Sequence, residues 1–190
     1  MRALRAFVPL LMLLAVATGC NGGSEPTPES SPASPFQACP ATVDQVGTPP
    51  PTDPLPSLTL PCFTGGSPVA LSKLGKPAVI NLWASWCAPC RTELPQLQAF
   101  ANEAGDQVLV LGVVTGDVWS RAAYAGEDFG VRFPTVFDPD KQLQRALGRN
   151  ALPVTLFVAA DGSVRATDTS GALTLEKLRG LARDHLGVTG

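Results

Sequence analysis

Histidine is almost missing from this chain: one, His185, in 190 residues. A histidine-based metal centre is therefore not written here, and no second cysteine pair stands at ligand spacing to build a thiolate one. Charge is sparse as well, at 16% of residues, with 14 basic against 16 acidic side chains and a net charge of −2. Without a basic surplus to neutralise phosphates, nucleic acid is not an expected partner. No apolar run approaches the ~20 residues that a membrane-spanning helix requires. The longest lies within residues 6–17 and is broken by Pro9.

Proline, in contrast, is abundant. Nineteen prolines are too many for a compact core, and much of the excess falls between Pro26 and Pro61 among Ser, Thr, Gly and Glu. Before that stretch, residues 1–19 have a short basic start (Arg2, Arg5), an apolar middle and a small-residue end, the pattern of a secretory signal peptide. Thr18-Gly19-Cys20 resembles a bacterial lipobox, whose cysteine becomes the lipidated N-terminus. The expected organisation is a signal peptide at 1–19, an extended tether at 20–54 and a folded domain at 55–190. If Cys20 is not acylated, the same leader predicts a soluble secreted or periplasmic protein.

Five cysteines are an odd number for an exported chain. Assigning Cys20 to lipid leaves four. Cys87 and Cys90 stand together, so Cys39 and Cys62 remain as candidates for a structural disulfide, which would end the free tether at Cys39 and pin its last part against the domain, consistent with an oxidising compartment.

The chain is organised around residues 78–95. An apolar, β-branched run at 78–83 reads as a buried strand, and after Cys87 the period becomes helical, with Leu94, Leu97 and Phe100 along one side. Cys87 and Cys90 therefore fall where a strand hands over to a helix, with Pro89 in the first turn, where its missing N–H costs little. There, unpaired N–H groups and the positive dipole end favour a thiolate on Cys87. Cys90, one turn on, is placed to attack a mixed disulfide formed at Cys87.

Trp86-Cys87-Ala88-Pro89-Cys90 after such a strand resembles the thioredoxin superfamily active site. The longer run from Asn81 through Glu93-Leu94-Pro95 is similar to the TlpA/ResA-like branch of thiol–disulfide oxidoreductases. The resemblance covers the chain from about residue 55 onward. It implies an α/β fold with a thioredoxin-like central mixed sheet flanked by helices, an N-terminal β-hairpin and an inserted strand–helix unit. It further implies a cis Leu152-Pro153 bond opposite the cysteines, a substrate groove at Trp86, Pro89 and Leu152, and a functional carboxyl at Glu93. Glu93 lies one turn beyond Cys90. Desolvation there should raise its pKa and suit it to accept the Cys90 proton, while Asn81 stands where ordinary thioredoxins carry an ionisable Asp.

The remaining elements follow from periodicity and caps. Leu58-Thr59-Leu60 and Pro68-Val69-Ala70-Leu71 read as the hairpin strands, and residues 108–114 as a second buried parallel strand. Asp117 is expected to cap a helix running towards Phe129. A short strand follows at 133–137, and Asp138-Pro139-Asp140 opens a helix over 141–147, where both carboxylates read as caps rather than as an acid/base or metal pair. Residues 152–158 form a strand turning at Asp161-Gly162. Thr174 caps the last helix, and His185 sits at that helix's end, where an imidazole meets terminal carbonyls rather than a ligand. Pro95 should kink the helix that carries the cysteines.

The function expected is thiol–disulfide exchange with protein substrates outside the cytoplasm, as reductant or oxidant. A membrane redox partner, a lipid anchor and a monomeric state accompany it, and no cofactor beyond the redox-active disulfide is required. The alternatives are a peroxiredoxin-like thiol peroxidase, which would need a Pro-x-x-x-Thr-x-x-Cys loop that is absent, and a redox-inactive binding lipoprotein. A copper-delivery protein is disfavoured by the cysteine spacing and the position of His185.

Overall fold

In the centre of the fold stands β3 (Ala78–Trp83), all six of whose residues are buried. An apolar run without alternation is what a strand covered on both faces requires. On one side it pairs in parallel with β4 (Leu109–Thr115), which pairs in parallel with β5 (Thr135–Asp138). On the other it pairs antiparallel with β6 (Val154–Val158), which pairs antiparallel with β7 (Val164–Asp168). The mixed sheet thus has the order β5-β4-β3-β6-β7. It is preceded by a separate two-stranded hairpin, β1 (Thr59–Leu60) and β2 (Val69–Ala70). This computed structural model describes residues 33–43, 52–171 and 173–188. The leader and Cys20 lie outside the described residues.

Side chains of β3 divide the core. Val79 and Trp83 point to the layer made by α1 (Ala88–Ala104), α2 (Trp119–Asp128) and α4 (Leu175–Leu186), while Ile80 and Leu82 face the hairpin and α3 (Gln142–Ala146). Gly112 on β4 has a packing reason, since a Cβ there would lie 3.1 Å from the Trp83 indole nitrogen and 2.7 Å from Thr135 Oγ1. β5 and α3 together form the inserted unit. Segment 61–63 covers the outer edge of β5 through Phe63 N–H to Thr135 O and Phe137 N–H to Pro61 O, leaving that strand shielded from edge pairing. Helix α1 continues through Pro95 without interruption.

Three expectations need correction. Packing of the proline-rich stretch begins ahead of Cys39, where a free tether was expected to end: residues 33–43 pack on the body, with Phe36 5% exposed and edge-on to Phe63 at 4.8 Å. A phenylalanine within a polar, proline-rich segment still gains by burial, and Cys39, bonded to Cys62, holds that segment in place. Asp117 does not cap α2, whose cap position is Val118 without a side-chain bond; its carboxylate turns to Ser85 instead. Asp138 accepts from the N–H groups of Gln142 and Leu143 at 2.8 and 3.0 Å and so caps α3, but Asp140 takes no part beyond its backbone carbonyl, which accepts from Arg145.

Candidate active site

Cys87 is the N-cap of α1, and its sulfur accepts from the Cys90 N–H at 3.3 Å. The 17-residue helix directs its positive end at that sulfur, with Pro89 in the first turn. Cys87 and Cys90 are joined, S–S 2.01 Å and Cα–Cα 5.3 Å. Cys87 keeps 4% of its surface and Cys90 1%, so an incoming sulfur meets Cys87 first. On reduction, the sulfur at the cap is the one that the helix end and its N–H groups favour as thiolate.

The turn leading into Cys87 is held from outside its own sequence. Ser85 N–H and Oγ–H both donate to Asp117, at 2.5 and 3.0 Å, and the Val118 N–H donates to the same carboxylate at 2.7 Å. Arg91 Nε donates to Ser85 O at 2.9 Å, and the Trp86 indole N–H donates to Gly116 O at 3.1 Å. The Trp86 indole is thereby tied to the residue that follows β4 while remaining 53% exposed. The expectation for Asp117 as a helix cap missed this role because its partner lies 32 residues away in sequence.

The Leu152-Pro153 bond is cis. The loop after β7 completes the rim. Gly171 has φ +67°, and a Cβ built on it would lie 3.3 Å from Pro89 Cβ and 3.7 Å from Pro153 Cδ. Trp86, Pro89, Leu152 and Pro153 were named from sequence; Gly171 was not, although a Ser-Gly pair three residues ahead of an N-cap threonine hints at a tight turn.

Glu93 lies on the buried side of α1 with Cys90, Leu94 and Leu97, at 1% exposure. One oxygen accepts from the Leu173 N–H at 2.9 Å, and the other has no partner among the described residues. Burial raises the Glu93 pKa, the Leu173 hydrogen bond works against that, and Asp168 and Lys177 add smaller opposing effects. Asn81, in β3, donates from Nδ2 to Thr155 Oγ1 at 2.8 Å and leaves its Oδ1 unpartnered. Among the described residues, no group of three or more His, Cys, Asp or Glu side chains is placed to hold a metal, and no helix is long and apolar enough to cross a membrane. His185 is exposed on the last turn of α4.

Cys39 and Cys62 are also bonded, with Cα atoms 5.9 Å apart. This bridge joins residues 33–43 to the segment beside β5, away from the Cys87–Cys90 pair in sequence and element.

Residues 50–180 match the Redoxin family model. The thiol-disulfide oxidoreductase ResA of Geobacillus thermodenitrificans is 32% identical over 55% of this chain and 60% of its own length. The chain thus spans about three fifths of the length of the first relatives it matches. The thiol:disulfide interchange protein DsbE of Allochromatium vinosum is 31% identical over 86% of this chain and 82% of its own. Among solved structures, the exposed lipoprotein thioredoxin of Streptococcus pneumoniae superposes with a TM-score of 0.55 at 27% identity, covering 67% of this chain and 98% of the other.

Proposed function

The chain belongs to the Redoxin family, and on that premise we propose that it is a thiol–disulfide oxidoreductase that exchanges the Cys87–Cys90 pair with protein substrates. The observation that carries this reading is a cystine at the N-terminus of α1, with its less buried cysteine at the cap position.

In the reducing direction, the Cys87 thiolate attacks one sulfur of a substrate disulfide. The substrate S–S bond breaks, a Cys87–substrate disulfide forms, and one substrate thiolate leaves. Cys90 then loses its proton and attacks the Cys87 sulfur, closing the Cys87–Cys90 bond and expelling the second substrate thiolate. Two electrons pass to the substrate. Run backwards, the same steps oxidise a substrate dithiol. Glu93, one turn past Cys90 and with a raised pKa, is the group that takes the Cys90 proton. An extended substrate segment lies along Trp86, Pro89 and the Leu152-Pro153 backbone, hydrogen-bonding as an added strand would.

The leader sequence supports export, and Thr18-Gly19-Cys20 supports a lipid anchor at Cys20 on the extracytoplasmic face of the membrane. Mass spectrometry of the mature N-terminus tests the anchor: a diacylglyceryl mass on Cys20 is expected, and a free thiol or cleavage elsewhere refutes it. The exchange reading is tested by equilibrating the protein with dithiothreitol redox buffers. One two-electron transition is expected that is lost in Cys87→Ala and in Cys90→Ala, with Cys90→Ala trapping a mixed disulfide. A Cys87–Cys90 pair that exchanges with no dithiol refutes it.

A further inference from the structure

Five of the cations that pair with no carboxylate among the described residues of this acidic chain lie on the side that carries Trp86; Lys76, which donates to the Asp106 backbone carbonyl, lies elsewhere. Arg132, Arg165, Lys177 and Arg179 each pair with a carboxylate, at 3.0, 3.3, 2.5 and 2.5 Å. Arg91, Arg121, Lys141, Arg145 and Arg149 are exposed, and among the described residues none has an ion-pair partner. Arg91 and Arg121 line a recess that includes Trp86, and Lys141, Arg145 and Arg149 line a second one. The first, about 380 Å³, is bounded by Ser85, Trp86, Arg91, Arg121 and Tyr124. The second, about 240 Å³, is bounded by Lys141, Gln144, Arg145, Arg149 and Asn150. Lys141 joins them, for its ammonium lies 6.0 Å from the centroid of the Trp86 ring.

Lys141 is held there at a conformational cost. It has φ +57°, and among the described residues it is the one non-glycine in the left-handed region. Its side chain runs across Gly116, where an added Cβ would collide with the Lys141 Cε at 2.2 Å. Three exposed carboxylates border the same cations, Asp128 in the first recess, Asp140 beside Lys141 and Asp53 beside Arg149. Asp117 and Asp138 keep their charge but direct it inward, to the Ser85 and Val118 donors and to the first N–H groups of α3. Five cations thus face three outward carboxylates on the side of the molecule that carries Trp86.

We propose that this rim selects the substrate of the exchange reaction: a cysteine or disulfide within an acidic polypeptide segment, whose Asp and Glu side chains lie against Lys141, Arg145 and Arg149 on one side of Trp86 and against Arg91 and Arg121 on the other. The proposal rests on the oxidoreductase reading above and adds the class of substrate to it. A polypeptide rather than a lipid surface is favoured because Arg91, Arg121 and Lys141 lie beside Trp86, which directly precedes Cys87, and Trp86 and Tyr124, 53% and 62% exposed, add aromatic area for a chain to lie on. Charge at such a rim acts mainly on the rate of encounter, and salt screens it.

The test uses the full chain in its reduced form. Three peptides, each a single cysteine blocked as a mixed disulfide with 2-mercaptoethanol and flanked by Glu, Gln or Lys, are compared by stopped-flow tryptophan fluorescence. With the rim as described, the Glu peptide reacts about 5-fold faster than the Gln peptide at low ionic strength, and the Lys peptide slower than both. The ratios fall towards one at 0.5 M salt, where screening is nearly complete over the distances involved. The K141Q/R145Q/R149Q variant loses most of the Glu-to-Lys ratio. Equal rates for the three peptides, or a faster Lys peptide, overturn the proposal in the unaltered protein whether or not the variant folds. Equal rates together with salt-sensitive sedimentation on phosphatidylglycerol vesicles assign the rim to a membrane and overturn it too. Exchange with dithiothreitol but no ranking of peptides leaves the oxidoreductase reading standing and removes only the acidic substrate. Failure with dithiothreitol removes both.

Discussion

Cutting the Cys39–Cys62 bridge should release residues 33–43 and uncouple Phe36 from stability. The bridge closes a separation of 23 residues, which in the chain-entropy account removes about 11 cal/mol/K from the unfolded chain, or about 3 kcal/mol at 25 °C. Phe36 sits edge-on to Phe63 and Trp83, at 4.8 and 6.1 Å, and against Gly126, where an added Cβ would come within 2.6 Å of the ring. Its burial contributes about 2–3 kcal/mol. Gln37 N–H to Arg132 O and Val43 N–H to Lys73 O add about 1 kcal/mol each. Against these stands the ordering of the segment, about 1 kcal/mol per residue, so without the cross-link it should detach. A double-mutant cycle reads this directly. In the bridged protein Phe36→Ala should cost about 3–5 kcal/mol in urea unfolding. In Cys39→Ala/Cys62→Ala, which should itself be about 3 kcal/mol less stable, the same substitution should cost under ~1 kcal/mol. If Phe36→Ala costs the same in both backgrounds, the segment stays docked unaided and the reasoning fails.

Glu93→Ala should destabilise by about 3 kcal/mol, because it leaves the Leu173 N–H without an acceptor and opens a cavity, whereas Glu93→Gln keeps an acceptor and should stay within ~1 kcal/mol. Because the folded carboxyl binds its proton more tightly than the unfolded one, the penalty for burying the charge is fully present above its folded pKa and vanishes below the ordinary 4.5. Stability of the unaltered protein should therefore gain from this group on acidification through that window; an identical pH profile in Glu93→Gln would contradict a raised pKa. Asp117→Ala should cost about 2 kcal/mol by freeing the Ser85 and Val118 donors, and should slow exchange at Cys87. Denaturant unfolding and unchanged exchange rates together would reduce Asp117 to a surface residue. Gly171→Ala should cost about 1 kcal/mol for its left-handed backbone, seen as a fall in Tm of a few degrees.

Much of the cysteine site was legible from residues 78–95 alone, because its parts are local. A buried strand, a helix beginning one residue past Cys87 and a second cysteine one turn later follow from hydrophobic period and helix-end chemistry within eighteen residues. The Thr174 cap is local too, its Oγ1 accepting from Lys177 N–H at 3.2 Å. Resemblance supplied the sheet around this unit and the approach of the Pro153 loop, which no periodicity encodes.

What the chain order does not state is which distant groups close on the local unit. Asp117 looked like a cap since an aspartate before a helical pattern usually is one, yet the end of β4 lies beside the Ser85 turn, and two donors there outcompete a helix end. Phe36 looked like tether in a proline-rich stretch, but a pocket lined by Gly126, Phe63 and Trp83 exists only once α2 and β3 are packed. The raised pKa of Glu93 was foreseeable from its position on the apolar side of α1, while its bond to Leu173, 80 residues on, was not. The cationic rim is a further case: Arg91, Arg121, Lys141, Arg145 and Arg149 are dispersed over 59 positions of an acidic sequence. Sequence determines the charge of each and places Arg91, Arg121 and Arg145 on helices, with Lys141 and Arg149 flanking α3. Only the packing of α1, α2 and the inserted α3 around Trp86 decides that they share a surface, because electrostatic potential sums over distance in space and takes no account of distance along the chain.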